Sequence, residues 1–167
     1  MAMTFEDRLR DRSAWSTDAC SAAMVLDLLS TKTVFLVVRE CFYGTTRFED
    51  FVQRVGASAP AVSRALRQLE EAGIVDRVPY RVPGQRGRDE YRLTSAGEDL
   101  LPIVLALVQW GDTHLQKDGA PLTYTDGSGR PVSVCVTADD GVTPARSDDI
   151  EIRYNRTWVK RRSAPRR

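Results

Sequence analysis

An α+β fold, mainly α, is what this sequence predicts, and three observations predict it. Between Thr45 and Gly73 apolar residues recur at helical spacing on both sides of a Gly56-Ala57-Ser58 turn. From Ile74 to Leu93 the spacing changes to strand-like alternation around a loop rich in Pro, Gly and Arg. A long apolar helical run, Thr94 to Gln116, comes next, and after Asp118-Gly119 the alternation returns. Helix, turn, helix and hairpin in that order are the plan of a winged helix-turn-helix domain. A long C-terminal dimerisation helix and a small C-terminal β extension complete it.

Taken in order, residues 1–16 form an N-terminal arm of alternating charge in which Phe5, Leu9 and Trp15 are the large apolar groups. Thr17 or Asp18 caps a first helix whose Ala22, Val25, Leu26 and Leu29 share a face. Lys32 to Tyr43 is apolar on most sides, with Val34, Phe35, Val38, Cys41 and Phe42 innermost and Leu36 and Val37 widening that face, which places it at the centre of the domain. In the next helix Phe48, Phe51, Val52 and Val55 fall on one stripe. Gly56 ends it, Ser58 caps the following helix, and Pro60 lies in that helix's first turn, where its missing N–H is harmless. This second helix buries Val62, Leu66, Leu69 and Ala72 and turns Ser63, Arg64, Arg67 and Gln68 outward. Thr94 to Gln116 carries two apolar stripes, Leu101-Val104-Leu105-Val108 and Leu100-Ile103-Leu107-Trp110, and Pro102 is expected to bend it. One core needs one stripe. The second, Leu100, Ile103, Leu107 and Trp110, is assigned to a symmetric partner. Beyond it, Leu122–Thr125 and Val132–Thr137 read as a hairpin around Asp126-Gly127-Ser128-Gly129, with Ile150–Tyr154 as a third strand. The chain thus divides into the arm (1–16), a winged helix-turn-helix domain with its long helix (17–116), the β extension (117–157), and a basic tail (158–167) expected to be disordered.

A short polar-faced helix opened by small residues suits insertion into a major groove. Direct base readout is therefore expected from Ser58, Ala61, Ser63, Arg64, Arg67 and Gln68, and phosphate or minor-groove contact from Arg47 and the hairpin's Arg81, Arg86 and Arg88. The alternative for such a unit is a winged-helix module that docks on proteins, against which the arginine-bearing hairpin tip argues.

At these residues a family resemblance becomes specific. Arg47-Phe48, Leu66-x-x-Leu69-Glu70-x-x-Gly73-Ile74-Val75-x-Arg77, Glu90-Tyr91-x-Leu93-Thr94-x-x-Gly97, Pro102 and Trp110-Gly111 resemble the HxlR-type winged helix-turn-helix transcription regulators of the MarR-like superfamily. The resemblance reaches upstream to Cys20, Leu26-Asp27-Leu28, Lys32 and Arg39-Glu40 and covers about residues 18–115. It implies a homodimeric bacterial repressor or activator on inverted-repeat operators in double-stranded DNA. It also implies a candidate redox or electrophile sensor in Cys20, near the start of the first helix, where the helix dipole favours a thiolate; the bland reading of a lone cysteine is a small apolar residue. The sequence departs from the family at Ser30-Thr31 and Thr33, and at Ala65, where many relatives carry an arginine on the recognition helix. Some members carry a zinc ribbon at the position of the β extension. Here Cys135 stands without the paired ligands, so a metal-free remnant is expected and no cofactor is assigned.

The 167 residues and a net charge of +1 suit one core plus an extension. The basic residues are almost all arginine, and Arg153 to Arg167 holds seven of them and no acid. Cys20, Cys41 and Cys135 show no metal or disulfide spacing. The charged N-terminus and the absence of a long apolar run predict a cytoplasmic protein without a membrane span. His114 has no nucleophile and acid around it in the sequence, and Asp139-Asp140 lacks further ligands, so an enzyme is not expected. The long helices of a dimer leave room for a small-molecule effector that the sequence does not identify.

Overall fold

The computed structural model describes residues 2–13, 15–80, 88–139 and 141–153. In chain order the elements are β1 (Thr4–Phe5), α1 (Ser21–Leu28), α2 (Lys32–Phe42), α3 (Phe48–Val55), α4 (Ala59–Glu71), β2 (Val75–Tyr80), β3 (Arg88–Leu93), α5 (Ser95–Glu98), α6 (Leu101–His114) and β4 (Glu151–Ile152), with short 3-10 turns between some of them. They fall into two compact units, one spanning 18–134 and the other joining residues up to 17 with those from 135 on.

In the larger unit the core forms where α2, α3 and α4 meet beneath the β2–β3 hairpin. The hydroxyl of Thr31 caps α2 by accepting from the Val34 N–H at 3.2 Å, and α2 then buries Val34, Val37 and Val38. Val37, expected only to widen the apolar face, is fully enclosed. Phe51 of α3 and Val62, Leu66 and Leu69 of α4 close the same core, with Phe48, Val52 and Val55 packed against it. Gly56 ends α3 in the left-handed region at φ 67°, as its place in the sequence requires. Pro60 occupies the first turn of α4. Ala65 is buried in this core, whereas Ala72, expected there, is exposed at the end of α4.

One buried carboxylate organises the approach to α3. Glu40 is nearly enclosed; its Oε1 accepts from Arg39 Nη2 at 2.8 Å and its Oε2 accepts from the Thr45 hydroxyl at 3.0 Å. Arg54 Nη1 in turn donates to Thr45 Oγ1 at 2.7 Å, tying the last turn of α3 to the loop before its first. A charge withdrawn from water survives only when so paired, which makes this network specific to one geometry of the turn.

The hairpin is antiparallel, with Val75 opposite Leu93 and Tyr80 opposite Arg88. Thr94 fastens its base: the hydroxyl donates to the Gly73 carbonyl at 2.6 Å and accepts from the Gly97 N–H at 3.1 Å, capping α5. Gly97 lies so close to the Ile74 carbonyl that a Cβ there would sit 2.2 Å from its oxygen. Thr94-x-x-Gly97 is thus a packing motif.

The single long helix expected from Thr94 is two helices. The break at Asp99-Leu100 lets Pro102 sit in the first turn of α6, where proline starts a helix and does not bend one. Leu100, assigned above to a partner-facing stripe, is 8% exposed and belongs to the core with Val104. The other three members of that stripe and Leu101 stay in water: Leu101 41%, Ile103 37%, Leu107 53% and Trp110 57% exposed.

After α6 the chain turns back on itself. The expected hairpin is reduced to a bridge between Thr125 and Pro131, and its turn is closed by the Asp126 carboxylate, which accepts from the Ser128 and Arg130 N–H groups and from Arg130 Nε. The Ser128 hydroxyl, donating to Oδ1 at 2.7 Å, and these N–H donors hold that carboxyl down at about 2. Proline supplies no donor to a ladder, so regular pairing does not propagate. In the smaller unit Thr137 bridges Pro144, and β4 pairs in parallel with β1, Thr4 opposite Glu151 and Phe5 opposite Ile152. The strand expected to extend the hairpin therefore joins the N-terminal arm instead.

Candidate nucleic-acid interface

The turn between α3 and α4 sets α4 with one face in the core and the other in water. Ser58, Arg64 and Arg67 are exposed on that outer face, and Ala61 and Ser63 are half-buried at its margins. Neither Arg64 nor Arg67 has a hydrogen bond or ion pair to any described residue. Gln68 differs. Its amide nitrogen donates to the Leu28 carbonyl at 2.7 Å, closing the end of α1, so this side chain is held inside the fold and leaves the expected reading set. Ala65 is likewise beneath the helix; the position where many relatives have arginine does not face outward here.

The wing is built on α3. Tyr91 N–H donates to the Thr46 carbonyl at 2.8 Å and Arg47 bridges Glu90, so residues 46 and 47 run along the edge of the hairpin. The Arg47 guanidinium lies 5.1 Å from the centre of the Tyr80 ring, and Arg88 donates to Glu49 at 3.1 Å across the α3–β3 gap. Arg77 is shared between Glu70 and Asp89, and Arg92 pairs with Glu90. Arg81 and Arg86, assigned to the wing tip, lie outside the described residues. The arginines thus sort into two classes: those along the hairpin are engaged with acids or rings, and the pair on α4 is unengaged among the described residues.

This order of elements matches the HxlR-like helix-turn-helix family over residues 28–119. The chain belongs to that family. An HTH-type transcriptional regulator of Mycobacterium tuberculosis is 40% identical over 101 residues, which are 60% of this chain and 63% of the relative. The chain therefore spans less than two thirds of the mycobacterial relatives it matches. The crystal structure of PA1607, a candidate transcription factor, superposes with a TM-score of 0.72 at 32% identity, over 81% of this chain and 94% of that one. The redox regulator HypR in its oxidised form superposes with a TM-score of 0.52 at 30% identity, over 58% of this chain and 99% of its own. The chain therefore carries an HxlR-like winged helix-turn-helix, and the relatives that share it are named as HTH-type transcriptional regulators.

The three cysteines sit in different settings. Cys20 is exposed as the residue preceding α1. Cys41, in α2, is half-buried, and burial first and the neighbouring Glu40 second push its thiol up to about 12. It is therefore a protonated, weakly reactive thiol at neutral pH. Cys135 is exposed, and among the described residues no three His, Cys, Asp or Glu side chains cluster as a metal would need. Among the described residues, too, no single helix is long and apolar enough to cross a membrane. The Glu40–Thr45–Arg54 network is absent from the sequence reading, where only the Arg39-Glu40 pair signals it, and of the face expected on α1 Val25 and Leu29 are half-buried while Ala22 and Leu26 are exposed.

Proposed function

We propose that this chain is a sequence-specific double-stranded DNA-binding regulator that acts as a homodimer on an inverted-repeat operator. The observation that carries the reading is the pair Arg64 and Arg67 on the outer face of α4, unengaged among the described residues. A planar guanidinium free of internal partners is ready for the O6 and N7 acceptors of guanine, a contact that contributes about 1–3 kcal/mol of discrimination. Ser58, Ala61 and Ser63 line the same approach and set how closely the helix meets the groove. Arg47 and Arg88, with Arg81 and Arg86, are the phosphate or minor-groove set. The apolar residues of α6 that stay in water, Ile103, Leu107 and Trp110 with Leu101, form the surface for the second copy, which spaces two α4 helices about 34 Å apart.

Selection of random duplexes on the purified chain tests all of this at once: the expected product is two half-sites in inverted orientation, about one helical turn between centres. A collection with no shared sequence, bound with a steep salt dependence alone, overturns it. For Cys20 we propose the role of a redox or electrophile sensor, supported by its exposure and by the likeness to HypR. Diamide is expected to release the wild-type chain from its operator and to leave Cys20→Ser bound; equal release of both removes Cys20 from the mechanism.

A further inference from the structure

Between the end of α2, the first half of α6 and the chain returning through Tyr124 and Val132 lies an open cavity of about 390 Å³ that the DNA-binding reading does not use. Its walls are apolar, from Phe42, Leu101, Leu105 and Val132. It adjoins a cleft of about 280 Å³ through the shared Leu105, Tyr124, Thr125 and Val132. The wall made by the returning chain is fastened: Gln109 of α6 donates to the Val134 carbonyl at 3.1 Å and accepts the Val134 N–H at 2.9 Å, the two bonds a neighbouring strand would supply. Volume and lining are those of a small-molecule site, where apolar walls supply affinity and a few polar groups fix orientation.

The polar group here is a pair of phenols. Tyr43 Oη and Tyr124 Oη are 2.6 Å apart. One phenol proton occupies the bond between them, and the second has no acceptor among the described residues. A cavity lined largely with hydrocarbon, whose donors are the spare phenol O–H and the Thr125 hydroxyl, matches an uncharged molecule with an apolar body and an acceptor oxygen, such as an aromatic ketone or aldehyde. A carboxylate or phosphate fits less well, because no cationic side chain lines the cavity.

We propose that this cavity is a binding site for small uncharged aromatic carbonyl compounds, held by hydrophobic burial and by a hydrogen bond from the Tyr43–Tyr124 pair. The site is distinct from the DNA face and does not depend on the operator reading, so its test needs no DNA. The full chain is titrated with the naphthalene ketone dye Prodan, whose emission moves to the blue as it leaves water. The expected result is a saturable blue shift with one dye per chain. Val132→Trp and Thr125→Trp, each filling the cavity from a different residue, abolish it. Tyr43→Phe/Tyr124→Phe weakens it by about 3–10-fold, the loss of one hydrogen bond. Met24→Gln, at an exposed position of α1 that does not line the cavity, leaves it unchanged. Three results overturn the proposal: emission that stays at its value in water, binding that survives both tryptophan fillings, and an affinity that falls as the protein concentration rises, which assigns the cavity to a second copy.

Discussion

Two helices of this protein, nearly equal in length and both started by a proline in the first turn, are used in opposite ways. α4 has 13 residues and α6 has 14. α4 buries Val62, Ala65, Leu66 and Leu69 on one side and keeps charge and hydroxyls on the other. α6 is apolar nearly all round, yet buries only Val104 within its own length. A helix whose apolar face is satisfied offers water or a charged, hydrated partner its polar side. A helix that leaves leucine, isoleucine and tryptophan in solvent is incomplete, since each Å² of such surface covered gains about 25 cal/mol. Side-chain pattern, and not helix length or start signal, thus separates the element suited to a duplex from the one suited to another protein surface.

The largest effect should come from interrupting the satisfied face. Leu66→Ala removes a fully buried side chain, and large-to-small changes of this kind cost about 2–5 kcal/mol. Leu107→Ala, the same change at a 53% exposed position, is expected to cost the isolated chain below about 0.5 kcal/mol. Urea denaturation at low protein concentration separates the two, and equal losses would mean that α6 is already covered within one chain. Next in size is Trp110→Asp, which places a charge in the apolar surface of α6. The proposed dimer should be weaker by at least about 2 kcal/mol, roughly 30-fold, the loss typical of an aromatic at the centre of an interface. Sedimentation equilibrium measures it, and an unchanged association constant would move the interface elsewhere.

These contrasts also mark where the sequence was legible. Phe48, Phe51, Val52 and Val55, the Gly56 turn, Pro60 and the alternation in β2 and β3 are local signals, read within a few residues, and the structure has each element in its expected place. Arg64 and Arg67 were visible as the polar face of one helix. What local pattern does not encode is how elements meet. Ala65 looks like a surface residue until α2 packs over it, and Leu100 leaves its stripe because α5 and α6 are separate helices. Gln68 reads as polar and outward until Leu28 presents a free carbonyl across 40 positions of sequence. The pairing of β1 with β4 joins two-residue strands from opposite ends of the chain, too short for any periodicity to register.

Smaller effects belong to the polar face itself. Arg64→Ala or Arg67→Ala should cost about 1–3 kcal/mol at the preferred operator, about 5- to 150-fold, and much less on unrelated DNA. Fluorescence anisotropy on both duplexes tests this, and a uniform loss would demote either side chain to a phosphate contact.

The subtlest test compares an engaged arginine with the unengaged pair. Arg88 is held by Glu49 at 3.1 Å, both side chains more than half exposed, so the pair contributes little to stability and partly cancels the charge the wing offers to a phosphate. Arg88→Ala should therefore lower the salt slope of binding by at most about one and leave base preference intact. Glu49→Gln works in the opposite direction: it releases the guanidinium, removes a negative charge beside the wing, and should tighten binding to any duplex by a few-fold at low salt. Salt titrations of the two variants on specific and unrelated duplexes give the sign of each change. Were Glu49→Gln to weaken binding, the ion pair would be setting the direction of the arginine and not screening its charge, and Arg88 would count among the side chains that build the wing.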